Sequence, residues 1–187
     1  MNAEPQATLA DLIVQPARPT DAAEILELQK LAYHGEAAIY NEFGIPPLTQ
    51  TIDGMRADLE RQTCLIATMD DRRGGRMGNR PCGCIVGSVR AHLDQGTCYV
   101  GRLIVQPELH NQGIGTRLMR EIEHLFRHAA RFELFTGHLS ERNLYLYRKL
   151  GYCPFKQERI SDALTLVYLE KIAPAQAHDL DPGGMST

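Results

Sequence analysis

Hydrophobic positions along the chain fall into short runs and spaced stripes that follow one another in a fixed order. Leu12-Ile13-Val14 is a brief apolar run, ended by Pro16 and Pro19, and predicts a first strand. Thr20-Asp21 then marks a helix start, with Glu24 as a first-turn acid. Ala23, Ile25, Leu26, Leu28, Leu31 and Ala32 form its stripe, reaching Ala38. Residues 40–50, with Gly44 and Pro46-Pro47, read as a loop, and Ile52, Met55 and Leu59 predict a helix over 51–61. Residues 63–69 read as a strand. Residues 84–93 and 97–106 read as two more, joined by the turn Asp94-Gln95-Gly96. Ile114, Leu118, Met119, Ile122, Leu125 and Phe126 recur at helical spacing. A strand over 131–136, a helix over 141–150 ended by Gly151, and a hairpin of 152–160 with 163–172 across Ser161-Asp162 complete the order β-α-α-β-β-β-α-β-α-β-β.

No repeat or internal boundary interrupts this order, so it predicts a single α/β domain over 11–173. The expected sheet is mixed and mostly antiparallel, flanked by helices. Its central parallel pair would form where the strand after the long helix returns beside Leu103–Val105. Residues 1–10 predict a flexible lead and residues 174–187 a disordered tail.

Composition narrows the function classes. The chain has 187 residues, 43% hydrophobic and 23% charged, enough for one packed core. A net charge of -3 offers no broad basic field for nucleic acid. No apolar run approaches membrane-spanning length, and the first nine residues lack the basic and apolar regions of a secretory signal. Cys64, Cys82, Cys84, Cys98 and Cys153 make an odd number, with Cys82 and Cys84 the close pair. No second pair or His cluster completes a zinc site, so reduced thiols in a cytoplasmic protein without a metal are expected. Four arginines in 72–81 read as a solvated loop or a phosphate patch, and the lack of interleaved aromatics favours the former.

Two segments carry candidate chemistry. Leu103-Ile104-Val105 is a strand stopped by Pro107, followed by the loop His110-Asn111-Gln112-Gly113-Ile114-Gly115 and a helix. Strand, glycine loop and helix start make an anion site, because glycine lets backbone N–H groups approach a ligand and the helix N-terminus adds unpaired donors. The start of the helix has no acid before Glu121 and carries Arg117 and Arg120 instead, so positive potential is left for an external diphosphate. An ordinary strand–turn–helix connection reads the same way. In the second segment, Ser140 stands at an N-cap with Asn143 at N3, and Asn143 and Tyr147 share one helix face. An Asn amide and a Tyr hydroxyl on one cleft would hold and protonate a ligand. The alternative is a cap residue and a core aromatic.

Together the two segments resemble the acetyl-CoA-binding motifs of the GNAT N-acetyltransferase superfamily. That family's loop, Gln/Arg-x-x-Gly-x-Gly/Ala, is matched by His110 to Gly115, with His110 departing from Gln or Arg. Its last motif, Asn-x-x-Ala-x-x-Leu-Tyr-x-Lys-Leu-Gly-Phe, is matched by Ser140 to Tyr152, with Ser140 in the Asn place and Asn143 in the Ala place. The element order over 11–173 also fits, so the resemblance covers nearly the whole chain.

The resemblance implies a GNAT-like fold and an acetyl-CoA-dependent N-acetyltransferase. It places the pantetheine arm beside Leu103, Ile104 and Val105, where strands splay beyond them, often at a bulge. A backbone N–H near Leu103 or Ile104 would polarise the thioester. The diphosphate is expected on His110, Asn111, Gln112, Gly113, Ile114, Gly115 and Thr116, and Asn143 and Tyr147 are expected against the cofactor. Tyr147 would protonate the departing CoA thiolate. The base is open among Glu36, Glu42, Glu108, His92 and His138. An acceptor pocket is expected from residues 33–50, with Tyr33, Glu36 and Tyr40 against a small, cationic amine. A loop plugged by its own aromatics is the other reading. A protein N-terminus or lysine acceptor stays open, as does a non-catalytic acyl-CoA sensor, and a homodimer is the assembly considered. A nucleotide-binding oxidoreductase is disfavoured, because Leu118 fills the third glycine position of a dinucleotide fingerprint.

Overall fold

In a computed structural model, which describes residues 12–70 and 83–173, Leu12–Pro16 (β1), Thr63–Asp70 (β2), Gly83–Asp94 (β3), Thr97–Val105 (β4), Arg131–Gly137 (β5), Cys153–Arg159 (β6) and Thr165–Ile172 (β7) form one sheet. The lead at 1–10, the arginine loop at 72–81, Cys82 and the tail from Pro174 lie outside the described residues. The strand order is β1-β2-β3-β4-β5-β7-β6, with β4–β5 parallel and the other pairs antiparallel. The helices are Ala22–Tyr40 (α1), Pro46–Thr49 (α2), Ile52–Arg61 (α3), Ile114–Leu125 (α4) and Glu141–Lys149 (α5). α2 lies inside the stretch expected to be a loop. Its first turn holds Pro46 and Pro47, where a missing N–H costs nothing.

Each face of the sheet has its own core. Ile25 and Leu26 of α1 and Met55 of α3 pack with Ile66, Ile85 and Ile104 on one face. Ile114, Leu118, Met119 and Ile122 of α4 and Tyr147 of α5 pack with Val89, Val100 and Leu134 on the other. The predicted α1 stripe needs one correction: Leu31 is 50% exposed, and Gln29 is buried in its stead. The cause lies beneath, on β3. Arg90 is 1% exposed and donates to Gln29 Oε1 and, at 2.6 Å, to Asp58 Oδ2. Gln29 Nε2 donates to the Pro47 carbonyl at 2.9 Å and to Gln50 Oε1 at 2.8 Å, and Gln50 Nε2 donates to Asp58 Oδ2 at 2.7 Å. A charge in a core persists only when paired and hydrogen-bonded in this way.

The parallel pair is shorter than expected and differently placed. It joins Thr97 to Arg131, Cys98 to Phe132 and Tyr99 to Glu133, at the start of β4 rather than beside Leu103–Val105. Beyond Tyr99 the two strands part. β4 also carries one extra residue there, since Ser88 faces Ile104 and Arg90 faces Gly101. Arg102 sits in this bulge at a φ of 52°. The bulge reverses the side-chain alternation. Cys98 and Val100 belong to the α4-side core, and an unbulged strand would send Arg102 after them. Instead Leu103 and Val105 pack on that core, Ile104 packs under α1, and the Arg102 guanidinium lies 5.7 Å from the Tyr33 ring centroid.

The buried Arg90 sets a stability prediction. Asp58→Ala leaves it without its counter-charge and lowers unfolding free energy by about 3 kcal/mol. Asp53→Ala, which removes the exposed pair with Arg56, changes it by less than about 0.5 kcal/mol. Urea unfolding of both variants checks the contrast.

Candidate active site

A cleft of about 1040 Å³ opens where β4 and β5 part. Leu103, Ile104, Val105, His110, Asn111, Gly113, Ile114, Gly115, Thr116, Asn143 and Tyr147 all line it, as do Tyr33, Glu36 and Tyr40. Gln112 is exposed and is not among the lining residues. Of the candidate bases, Glu36, Glu42 and His92 line the cleft, and Glu108 and His138 do not.

The loop before α4 is built from two left-handed residues, Asn111 at a φ of 63° and Gly113 at 85°. Gly113 is the N-cap and has no side chain to offer, and the first turn contains no acid. The first backbone N–H to find a helical acceptor is that of Arg117, on the Gly113 carbonyl at 3.0 Å. The N–H groups of Ile114, Gly115 and Thr116 therefore have no intrahelical partner. Arg117 itself is engaged by Glu121 at 3.0 Å, so the positive potential here is mainly that of the backbone.

The free edge of β4 follows from its hydrogen bonds. Gln106 donates to the Val86 carbonyl at 2.8 Å, and Ile104 faces Ser88. Backbone groups alternate along an antiparallel strand, so those of Leu103 and Val105 point away from β3, into the cleft.

His110 sits between this edge and α5. Its Nδ1 is 2.7 Å from an Arg142 guanidinium nitrogen, and its Nε2 is 3.1 Å from the Val105 carbonyl. A guanidinium only donates, so Nδ1 accepts and Nε2 carries the proton that Val105 receives. This is the neutral imidazole. Burial, and then the charge of Arg142, pull His110 below its ordinary value of 6.5. The side chain expected near the diphosphate thus ties the end of β4 to α5 and carries no charge.

A second network spans α1 and α5 across the gap. Ser140 stands at the N-cap of α5, yet its side chain makes no cap bond. It donates to Glu36 Oε1, and the Tyr40 hydroxyl lies 3.2 Å from Ser140 Oγ. Leu139 N–H donates to Tyr40 at 2.8 Å. With Ser140's proton on Glu36, Tyr40 is the donor to Ser140. The sequence Tyr40 to Ser140 to Glu36 is therefore an oriented chain of donors. Gly137 makes room for it, since a Cβ there would lie 2.2 Å from the Tyr40 oxygen. Burial holds Glu36 above the ordinary 4.5, with Arg142 acting in the opposite direction. Asn143 donates to Thr136 Oγ1 at 3.3 Å rather than supporting the cap.

Tyr147 is 6% exposed and meets the Tyr152 ring edge-on at 6.0 Å. Burial, with Tyr33 and Glu36 adding to it, pushes its phenol well above 10. The three arginines of the cleft, Arg90, Arg102 and Arg142, had no role in the sequence reading. An arginine inside a strand and a glycine beside Arg102 were the available signals.

Among the described residues no cluster of His, Cys, Asp and Glu suits a metal ion, and no helix is long and apolar enough to cross a membrane. A family model for the GNAT acetyltransferases matches residues 24–152, and the chain belongs to that family. Its fold resembles that of the ribosomal-protein-S18-alanine N-acetyltransferase from Escherichia coli at 12% identity, with a TM-score of 0.67, covering 90% of this chain and 98% of that one. The PaiA N-acetyltransferase from Thermoplasma acidophilum, solved in complex with coenzyme A, gives 16% identity and a TM-score of 0.64 over 86% of this chain and 98% of its own. The protein yncA from Salmonella typhimurium, solved with its cofactor acetyl-CoA, gives 15% and 0.66 over 89% of this chain and 96% of its own. At these identities the likeness is one of fold. No curated protein matches the chain.

The His110 geometry predicts a pH dependence. Its folded-state value lies below 6.5, so the unfolded chain takes up the proton first as pH falls. Stability conferred by the neutral ring is complete above 6.5 and is lost as pH drops through the lowered value. Urea unfolding between pH 7.5 and 5 should show a shallower loss in His110→Gln than in the parent, and parallel curves would refute the assignment.

Proposed function

We propose that the protein transfers an acetyl group from acetyl-CoA to a small primary amine by direct attack. The observation that carries this reading is the parting of β4 from β5 beside an uncapped α4 N-terminus, with the buried Tyr147 on the same cleft. The coenzyme A and acetyl-CoA held by two proteins of similar fold support it.

The pantetheine arm lies along the free edge of Leu103 and Val105 as an added strand. The Val105 carbonyl already accepts from His110, and its second lone pair remains for the ligand. The backbone donors of 111–116 hold the diphosphate. The Leu103 N–H, aimed into the cleft, polarises the thioester carbonyl, whereas Ile104 faces β3. Asn143, on the cleft wall beside Thr136, borders the cofactor.

The neutral amine attacks the thioester carbon, forming the C–N bond as the C–S bond breaks. Glu36 accepts the amine's proton, directly or through water. Its raised value brings a carboxylate closer to neutrality, where a base is most effective. The Tyr40–Ser140 chain holds that carboxylate in place. Tyr147 donates its proton to the departing sulfur. Burial keeps the phenol protonated at neutral pH, so the donor is always loaded.

Tyr147→Phe tests the donor role. Thiol release with acetyl-CoA and an amine panel should fall about 100-fold or more in kcat, with acetyl-CoA affinity retained. Unchanged turnover would remove Tyr147 from the role. Silence of the parent protein across the panel, with acetyl-CoA bound, would favour an acyl-CoA sensor.

A further inference from the structure

The α1-side wall of the cleft carries a cation that the transfer chemistry does not use. Arg102 is half-buried and lines the cleft, and its guanidinium rests against the Tyr33 ring. No ion pair or hydrogen bond among the described residues engages it. Its neighbour Arg90 is ion-paired with Asp58 and donates to Gln29 through its two terminal nitrogens, its buried Nε alone lacking a partner among the described residues. The backbone is set to present Arg102 in this way. A non-glycine residue at a φ of 52° costs conformational energy, and here it marks the bulge that turns the side chain out of the α4-side core.

The carboxylates of the lining are arranged to complement it. Asp58 is held by Arg90 and Gln50, and Glu36 accepts from Ser140. Glu42 is the third, and it pairs with no cation among the described residues. Among the described residues the acceptor side therefore offers one cation without an ion pair, Arg102, and two carboxylates without one, Glu36 and Glu42. A purely cationic acceptor, which the acids and aromatics of residues 33–50 suggested, would complement Glu36 and Glu42 but leave Arg102 without a counter-charge.

We propose that Arg102 binds a carboxylate on the acceptor, so that the substrate class is an amine that also carries a carboxylate, an amino acid or a close analogue. This rests on the acetyl-transfer reading above. A guanidinium fork matches a carboxylate in two parallel hydrogen bonds, and the Tyr33 ring 5.7 Å away leaves that fork open to a ligand. One free guanidinium balances a single negative charge, whereas a phosphate monoester carries nearly two near neutrality. The amine end is then free to sit between Glu36 and the thioester.

The test is a matched panel with acetyl-CoA, scored by thiol release. It sets α- and ω-amino acids against their amides, their decarboxylated amines and phosphoethanolamine. The acids should exceed their amides by about 10- to 100-fold in kcat/KM. Arg102→Ala should erase that preference, chiefly through KM, and leave coenzyme A affinity in place. Arg102→Lys should keep part of it. In parallel, N-acetylated amino acids are titrated calorimetrically into the coenzyme A complex, where Arg102→Ala should weaken binding by a similar factor. Equal turnover of acids and amides, or a preference for phosphoethanolamine, would overturn the carboxylate subsite and leave acetyl transfer standing. Absence of turnover with every amine would count against transfer itself. The titration then decides the subsite alone, and equal binding to parent and variant would overturn it.

Discussion

The cleft depends on one constraint: β4 and β5 pair over three residues and then separate. Two features accompany the separation. On β4 the bulge at Arg102 comes three residues after Tyr99, the last residue paired to β5, and alters the strand's path. On β5 the Tyr40 ring sits against Gly137, and its hydroxyl oxygen accepts from the Leu139 N–H. The end of α1 thus reaches through the gap and fixes the start of α5. Backbone groups that continued pairing would have consumed remain unpaired with any strand on Leu103 and Val105, the Val105 carbonyl accepting from His110. An open edge of this kind is usually covered or blunted, and its persistence inside a cleft marks a place for a ligand backbone.

The gap also divides the chemistry between the two faces of the sheet. The uncapped α4 start and the α5 phenol belong to the α4-side core, which is apolar and tightly packed. The opposite wall belongs to the α1 side, where Arg90, Gln29, Gln50 and Asp58 form a hydrogen-bonded polar cluster. That cluster pairs Arg90 with Asp58 and leaves the half-buried Arg102 as the cation of this wall without an ion pair among the described residues. His110 joins the faces at the end of β4, as a neutral bridge from Val105 to Arg142. A charged imidazole could not accept from Arg142, so the bridge itself fixes the proton.

Much of this was legible from local pattern. The strands, the main helices, the glycine loop and the Asn143–Tyr147 helix face all follow from spacing and turn residues, because each is a short-range property. What escaped was of longer range. Ser140 reads as a cap from its neighbours, but Glu36 and Tyr40, about a hundred positions earlier, claim its hydroxyl. Leu31 reads as core and Gln29 as surface until Arg90 is placed beneath the helix. The extra residue at Arg102 changes which face each following side chain takes, and nothing in the alternation of Leu103-Ile104-Val105 reveals it. The length of the β4–β5 pairing was equally hidden, since both strands are apolar past the point where they part.

Backbone amide exchange, read residue by residue with and without coenzyme A, addresses the central claim most directly. The account predicts protection on binding at Leu103 and Val105, whose N–H groups face the cleft, and at 114–116 in the first turn of α4, with Ile104 already protected by β3. Saturating coenzyme A that leaves the amides of Leu103, Val105 and the α4 start exchanging as in the free protein would contradict it.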